Sequence, residues 1–299
     1  MKHLNRIHTL WCISTIKEFI FILYHFFFTK KLAEKDIQLQ RILIFAISCS
    51  DKGYSLSLQN KNFIHVKGIG YNRKNAIIVR KYTRDILVFE GFFIDDDYIR
   101  YIPLIKEKGN VNLIVDAGAN IGCAAIYLHS HFPQAKMICI EPESSNFEVL
   151  LKNIHLNHLE NTTHCIKKAL WNENKELEFR RIDFSNDGFH VMSEGVTHEI
   201  IDRISTCTIP DLLKGSKEKY IDVLKIDIEG AEKTIFRDIN HLGNFLPQTK
   251  MLIMEVHQEY ITDKEIVETL HKFNFDAQIT KIAGQPSAVL AFNRDIYAN

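Results

Sequence analysis

Residues 113–122 read LIVDAGANIG, and no other stretch constrains the fold of this chain as tightly. An apolar run ends in an acid, and small residues follow at once. A buried parallel strand runs out in this way into a glycine-rich turn and a helix N-terminus, where backbone can approach a ligand with no Cβ between them. Three further apolar runs end alike: CIEP at 139–142, KIDIEGAE from Lys225 and MEVH from Met254.

Around these endings the chain alternates between strand and helix patterns. Strands are predicted at 111–117, 136–140, 164–170, 220–227 and 250–256, and a β-like segment at 176–182. Helices are predicted over about 121–130 and 144–157, from near Gly230, and from Asp263, where Thr262 and Glu265 have capping-box spacing. Apolar strands alternating with helices imply an α/β fold, a mostly parallel sheet covered on both faces. Segments 276–282 and 287–293 have no helix between them, so they should close the sheet as a hairpin with one antiparallel strand. In such sheets ligands bind beyond the carboxyl ends of the strands, where strand order reverses. All the strand-end acids lie there.

Three domains or segments are expected: a helical N-terminal extension over 1–50, a β-rich lead-in over 51–110 and the α/β domain over 111–299. The lead-in is read from β-type runs NFIHV, AIIVRKY and DILVF, with a short helix over 97–106. Within the extension, residues 10–28 are apolar and aromatic, but Lys17 and Glu18 leave Phe19–Phe28 as the longest clean run, about half a bilayer span. A helix packed on protein, an interfacial helix flanked by Lys30 and Lys31, and a true span are the three readings. No small-residue cleavage site follows, so no signal peptide is expected. A cytoplasmic location, with peripheral contact of residues 10–28 to the inner face of a membrane as an option, is the corresponding expectation.

Lys plus Arg number 37 and so do Asp plus Glu, which denies a nucleic-acid partner the excess positive charge it usually meets. The six cysteines form no CxxC pair, so reduced, buried thiols are expected rather than disulfides or zinc ligands.

The turn itself narrows the ligand. A dinucleotide fingerprint places a second glycine against the pyrophosphate. Here Asn120 stands between Gly118 and Gly122, with Cys123 where a third small residue would fall, and no GKS or GKT follows. An amide at that point suits the amino-acid end of a ligand. Glu141, ending the second strand, can accept hydrogen bonds from vicinal ribose hydroxyls. A ribose plus an amino acid describes S-adenosylmethionine.

VDAGANIG, IEP, KIDIEGAE and MEVH, in that order, resemble the FkbM-type family of S-adenosylmethionine-dependent methyltransferases over roughly residues 85–295. The resemblance implies a Rossmann-like methyltransferase fold, a seven-stranded sheet with an antiparallel C-terminal hairpin, and O-methylation of a hydroxyl. By the same resemblance Asp116, Gly118, Asn120 and Gly122 hold the methionine end, Glu141 the ribose, and Ala169 passes close to the adenine. A glycan or another secondary metabolite is the expected acceptor. Methylation of nucleic acid or of another nitrogen, or a non-catalytic membrane-associated binding protein, is the alternative.

Methyl transfer to an aliphatic hydroxyl needs alignment and a base. The candidates are Asp227 and Glu229 in KIDIEG, and Glu255 and His257 in MEVH. Strand alternation points each pair to one side, and neighbouring ionisable groups should shift one another's pKa values. Asp227 is expected near the cofactor, and Glu229 and His257 at the acceptor hydroxyl, one of them as base. Asp227 or Glu229 could instead cap the helix beginning near Gly230. The cluster could also hold a divalent cation, which the resemblance does not require, so no metal is assigned. Glu90, a charge in the apolar run ILVFEGFF, could line the cofactor site or be buried against a lysine or arginine.

Overall fold

In the computed structural model, which describes residues 37–69, 75–181, 189–191, 200–214, 216–281 and 286–297, the strand-end motifs converge on one sheet. The segment 10–28, with its three readings, lies outside these residues. Among the described residues no helix is long and apolar enough to cross a membrane. The chain divides into two units, residues 1–98 with 152–158, and residues 99–151 with 159–299.

In the first unit, helix α1 (Ile37–Asp51) precedes an antiparallel sheet, β1 (Tyr54–Asn60), β2 (Phe63–Gly68) and β3 (Ala76–Arg80), in that order. The run DILVF, read as β-type, instead opens helix α2 (Asp85–Phe93). A continuously apolar run does not betray its period. The structure does: Ile86, Phe89 and Phe93 are buried at helical spacing, and Phe89 packs on Phe93, Phe45 and Tyr54 with ring centroids 5.0–5.7 Å apart. Asp85 fixes the start of the helix by accepting from the Arg80 backbone N–H at 2.8 Å and from its guanidinium at 2.7 Å. Glu90 has its own unit to explain it: Arg41 is the charge that favours its ionised form, against burial that raises its pKa.

The second unit opens with α3 (Tyr101–Glu107) and then winds β4 (Leu113–Ala117), α4 (Cys123–His131), β5 (Lys136–Ile140), α5 (Ser144–Leu156) and β6 (Thr163–Ile166). Residues 152 and beyond in α5 count with the first unit. The predicted strand 164–170 is broken at Lys167 and Lys168; its second part, β7 (Ala169–Leu170), joins a separate four-stranded sheet with β8 (Glu176–Arg181), β9 (Phe189–Val191) and β10 (Ile200–Cys207), in the order β7-β10-β8-β9. After α6 (Ile209–Lys214) come β11 (Ile221–Ile226), α7 (Glu232–Arg237), α8 (Ile239–Gly243), β12 (Thr249–Val256), α9 (Asp263–Lys272), β13 (Phe275–Thr280), β14 (Ser287–Asn293) and α10 (Arg294–Tyr297). Thr262 caps α9 as its spacing predicts, its hydroxyl accepting from the Glu265 N–H.

The main sheet has seven strands in the order β13-β14-β12-β11-β4-β5-β6. Only β14 runs against its neighbours, so the fold is the Rossmann-like methyltransferase fold with a terminal hairpin. Strand order reverses between β4 and β11, which places the crevice at the ends of those two strands. The strands are held by an apolar core that includes Leu113, Val115, Leu224, Ile226, Leu252, Met254 and Phe236, all at most 2 % exposed.

Candidate active site

At the end of β4 the chain must turn sharply beside β11, and the residue types there follow from that. Gly118 has φ +79°, and a Cβ on it would lie 1.6 Å from the Asp227 carbonyl oxygen. Only glycine lets the two strand ends approach this closely. The turn's N–H groups are spent on protein: those of Gly118 and Ala119 on the Ile140 carbonyl, that of Gly122 on Ala119, and that of Asn120 on Glu141 Oε2 at 2.8 Å. A phosphate-binding loop leaves such groups open. Here they are not, in accord with Asn120 standing where a dinucleotide loop carries glycine.

Asn120 is itself left-handed, at φ +48°, and its Oδ1 is buried with no protein partner. Glu141, also buried, accepts from the Glu143 N–H at 2.9 Å as well as from Asn120. Burial pushes its carboxyl up to about 7 against these two bonds and a third from the Asn146 side chain, which favour the ion. A carboxylate has about four lone-pair sites, so with Asn146 Nδ2 also donating at 3.4 Å one remains for a ligand. Asp116 is wholly buried and faces Lys225 Nζ at 3.2 Å, while Nζ donates to the Gly118 carbonyl at 2.9 Å. Asp116 therefore supports the turn from beneath, through Lys225. Ala169 is buried in β7 and pairs with Thr206.

The second half of the site is built by the exits of β11 and β12. Neither Asp227 nor Glu229 caps α7, whose N-cap is Ala231 without a side-chain bond. Glu232 takes that role: its Oε1 accepts from the Ile228 N–H at 3.2 Å and its Oε2 from the Gly230 N–H at 2.6 Å. Glu229, between those two residues, is left-handed at φ +52°, and the ring of Tyr260 covers Gly230 where a Cβ would stand. A non-glycine residue in this region costs on the order of 1–3 kcal/mol and marks a position the surroundings hold in place.

His257, just beyond β12, sits among these acids. Its Nδ1 is 2.9 Å from Glu232 Oε1, and its Nε2 is 3.2 Å from Glu229 Oε2 and 4.0 Å from Asp227 Oδ1. Burial alone would lower its pKa; the hydrogen bonds to Glu229 and Glu232 outweigh burial and hold the ring charged, up to about 11. Glu255 on the same strand is pushed up to about 7 by burial and by the charge of Asp227. Asp227 Oδ2 is 3.4 Å from Lys225 Nζ, so Lys225 joins the two halves of the site. The structure thus gathers all four acid–base candidates, and adds Lys225 and Glu232. One ligand atom each from Asp227, Glu229 and His257 lie within 4.8 Å of one another, a spacing that a divalent cation could also bridge. Such an ion would displace the Nε2–Glu229 hydrogen bond.

A family model described as the methyltransferase FkbM domain matches residues 116–277, just over half of the 299 residues. The chain belongs to the FkbM methyltransferase family. The cofactor of that family is S-adenosylmethionine. Methyltransferase 1 of Beauveria bassiana (strain ARSEF 2860) is 25% identical over 150 residues, 43% of this chain and 59% of that relative, so the chain spans less than two thirds of the relative's length. Methyltransferase sdnD of Sordaria araneosa is 48% identical over 44 residues, 15% of this chain and 17% of that protein. Among solved structures, the methyltransferase FkbM of Methylobacillus flagellatus KT has a TM-score of 0.42 at 13% identity, covering 69% of this chain and 53% of that one. The N-terminal domain of human METTL16 in complex with SAH has 0.45 at 15%, covering 88% and 84%. Both are distant likenesses; the fold rests on the sheet order.

The residues fit this cofactor. Asn120 Oδ1 is an orphaned acceptor on the turn, matched to a donor such as a methionine ammonium, and Glu141 keeps an acceptor site for a ribose hydroxyl.

Proposed function

We propose that this FkbM-family chain methylates a hydroxyl oxygen of a glycan or another secondary metabolite. The observation that supports this most is the His257–Glu229 contact of 3.2 Å at the carboxyl edge of the sheet, a proton-transfer pair on the side of β11 away from Glu141. In this reading Asn120 and Glu141 bind the amino-acid and ribose ends of the cofactor directly, with Asp116, Gly118 and Gly122 shaping the turn and Ala169 near the adenine. When bound, the cofactor would supply a methyl group on a sulfonium sulfur, whose C–S bond breaks as the O–C bond forms and S-adenosylhomocysteine leaves. Alignment of the acceptor oxygen then provides much of the catalysis.

His257 Nε2 takes the hydroxyl proton as the oxygen bonds to the methyl carbon, and Glu229 passes it on. Glu229 suits that task because its side chain is 45% exposed while that of His257 is 10% exposed. At neutral pH the ring already holds a proton, so it must first release one through Glu229. Turnover should then rise with pH, because the fraction of neutral ring grows toward the pKa of about 11. Asp227, tied to Lys225, stays on the cofactor side.

Incubating the full chain with isotope-labelled S-adenosylmethionine and separate panels of glycans, small alcohols and nucleic acids tests the acceptor class. Label in an ether methyl of the first two panels is expected; label confined to nucleic acid would overturn the reading. His257→Ala should bind the cofactor as the parent does and lose roughly 10²–10⁴ of turnover, the usual scale of general-base catalysis. The proposal includes a cytoplasmic setting with residues 10–28 against a membrane face, which deletion of residues 1–30 followed by fractionation checks.

A further inference from the structure

Glu232 is the most fully committed carboxylate of the site. It is 0% exposed, in the first turn of α7, where a helix N-terminus favours a negative charge. Its two oxygens reach three donors: the N–H groups of Ile228 and Gly230, on either side of Glu229, and Nδ1 of His257 across from them. Two backbone donors fix the plane of the carboxylate, and that plane fixes the direction in which Nδ1 must approach. The same two bonds hold the turn that keeps Glu229 at φ +52°. One side chain therefore sets both the ring and the carboxylate that meet at 3.2 Å.

We propose that Glu232 is the positioning residue of the site: it commits the Nδ1 proton of His257 to itself and so presents Nε2 to Glu229 and to the acceptor hydroxyl. A ring nitrogen is available as a base only when the other nitrogen carries the proton, and which one does so is set by the partner of the other. A buried carboxylate on Nδ1 decides this in favour of Nε2. Glu232 touches neither acceptor nor cofactor in this role. The groups that face the ring from every side are Asp227 and Glu229 from the exit of β11, Glu232 from α7, Glu255 from its own strand and Tyr260 from the turn that follows. Only Glu232 contacts Nδ1 among the described ion pairs.

The proposal rests on His257 acting at the acceptor, but its test needs neither acceptor nor turnover, so the two can fail separately. The side-chain nitrogens of isotope-labelled full-length chain, with S-adenosylhomocysteine added, are followed by NMR through an alkaline titration. In Glu229→Gln, where Nε2 has lost its nearer carboxylate and Glu232 remains, the neutral ring should carry its proton on Nδ1, the reverse of the form a free histidine side chain favours. In Glu232→Gln the ring should lose its proton at least about ten-fold more readily than in the parent chain, and the Nδ1–H preference should disappear. Binding of S-adenosylhomocysteine by calorimetry shows whether this variant is folded; if it is not, the Glu229→Gln spectrum decides. A neutral ring protonated on Nε2 in Glu229→Gln overturns the proposal, as does an unchanged tautomer in folded Glu232→Gln.

Discussion

At the scale of single residues, the glycine-rich turn looks different once its contacts are known. Gly118 leaves room for protein rather than for ligand, since the space of its Cβ is filled by the Asp227 carbonyl. Backbone cannot yield as a flexible side chain can. Gly118→Ala should therefore cost more than about 3 kcal/mol, combining a left-handed backbone with a clash. Chemical denaturation would measure it, and a loss under about 1 kcal/mol would show that the strand ends are not locked. In the proposed reading the ligand meets Asn120 and Glu141 instead, which are tied to each other by a 2.8 Å hydrogen bond. The left-handed conformations of Asn120 and Glu229 fall on the two sides of the site, where strain is commonly held by function.

Among elements, helix α5 shows how a strand edge can be closed without another strand. Asn153 accepts from the Ile78 N–H at 2.7 Å and donates to its carbonyl at 3.0 Å; Asn157 makes the same pair of bonds with Ala76. Four residues along a helix advance about 6 Å and two along a strand about 6.6 Å, so the two spacings match. Asn153→Ala would strand two buried backbone groups at a cost of about 2–4 kcal/mol. Hydrogen exchange at Ile78 should accelerate in parallel, and unchanged exchange there would contradict this role. Strands β4, β5, β11 and β12 of the main sheet were legible from the sequence because each is a local apolar run with an acid at its end. The sheet formed by β7 to β10 was not, because it depends on pairing residues such as Ala169 and Thr206, far apart in the chain. The helix α2 hid inside an apolar run without visible period. Lys225 and Glu232 lay inside the motif that marked the site, yet a lone lysine in a strand and an acid in a helix's first turn read as ordinary. Their roles depend on distant partners: the Gly118 carbonyl 107 residues from Lys225, and His257 25 residues from Glu232.

For the whole molecule, the buried acids of the site couple stability to pH. Glu141 and Glu255 rise from 4.5 to about 7 on folding, each pushed up by burial. A raised carboxyl binds its proton more tightly in the folded state, so its contribution is complete below about pH 4.5 and is lost as pH passes through 7. Each rise corresponds to on the order of 3 kcal/mol. The melting temperature should fall between pH 5 and pH 8, and Glu141→Gln should flatten part of that slope. A melting temperature that rises across this window would contradict the ionisation assigned to the site. His257 acts in a higher window: raised from 6.5 to about 11, its contribution is complete below about pH 6.5 and is lost progressively as pH rises from there to about 11.

Calorimetric titration of S-adenosylmethionine into the full chain and into Glu141→Ala tests the account most directly. Saturable binding by the parent is predicted, weakened about 10–100-fold in the variant, as expected for hydrogen bonds to a charged acceptor. Binding of equal strength in both, or no binding of S-adenosylmethionine together with binding of NADH, would contradict it.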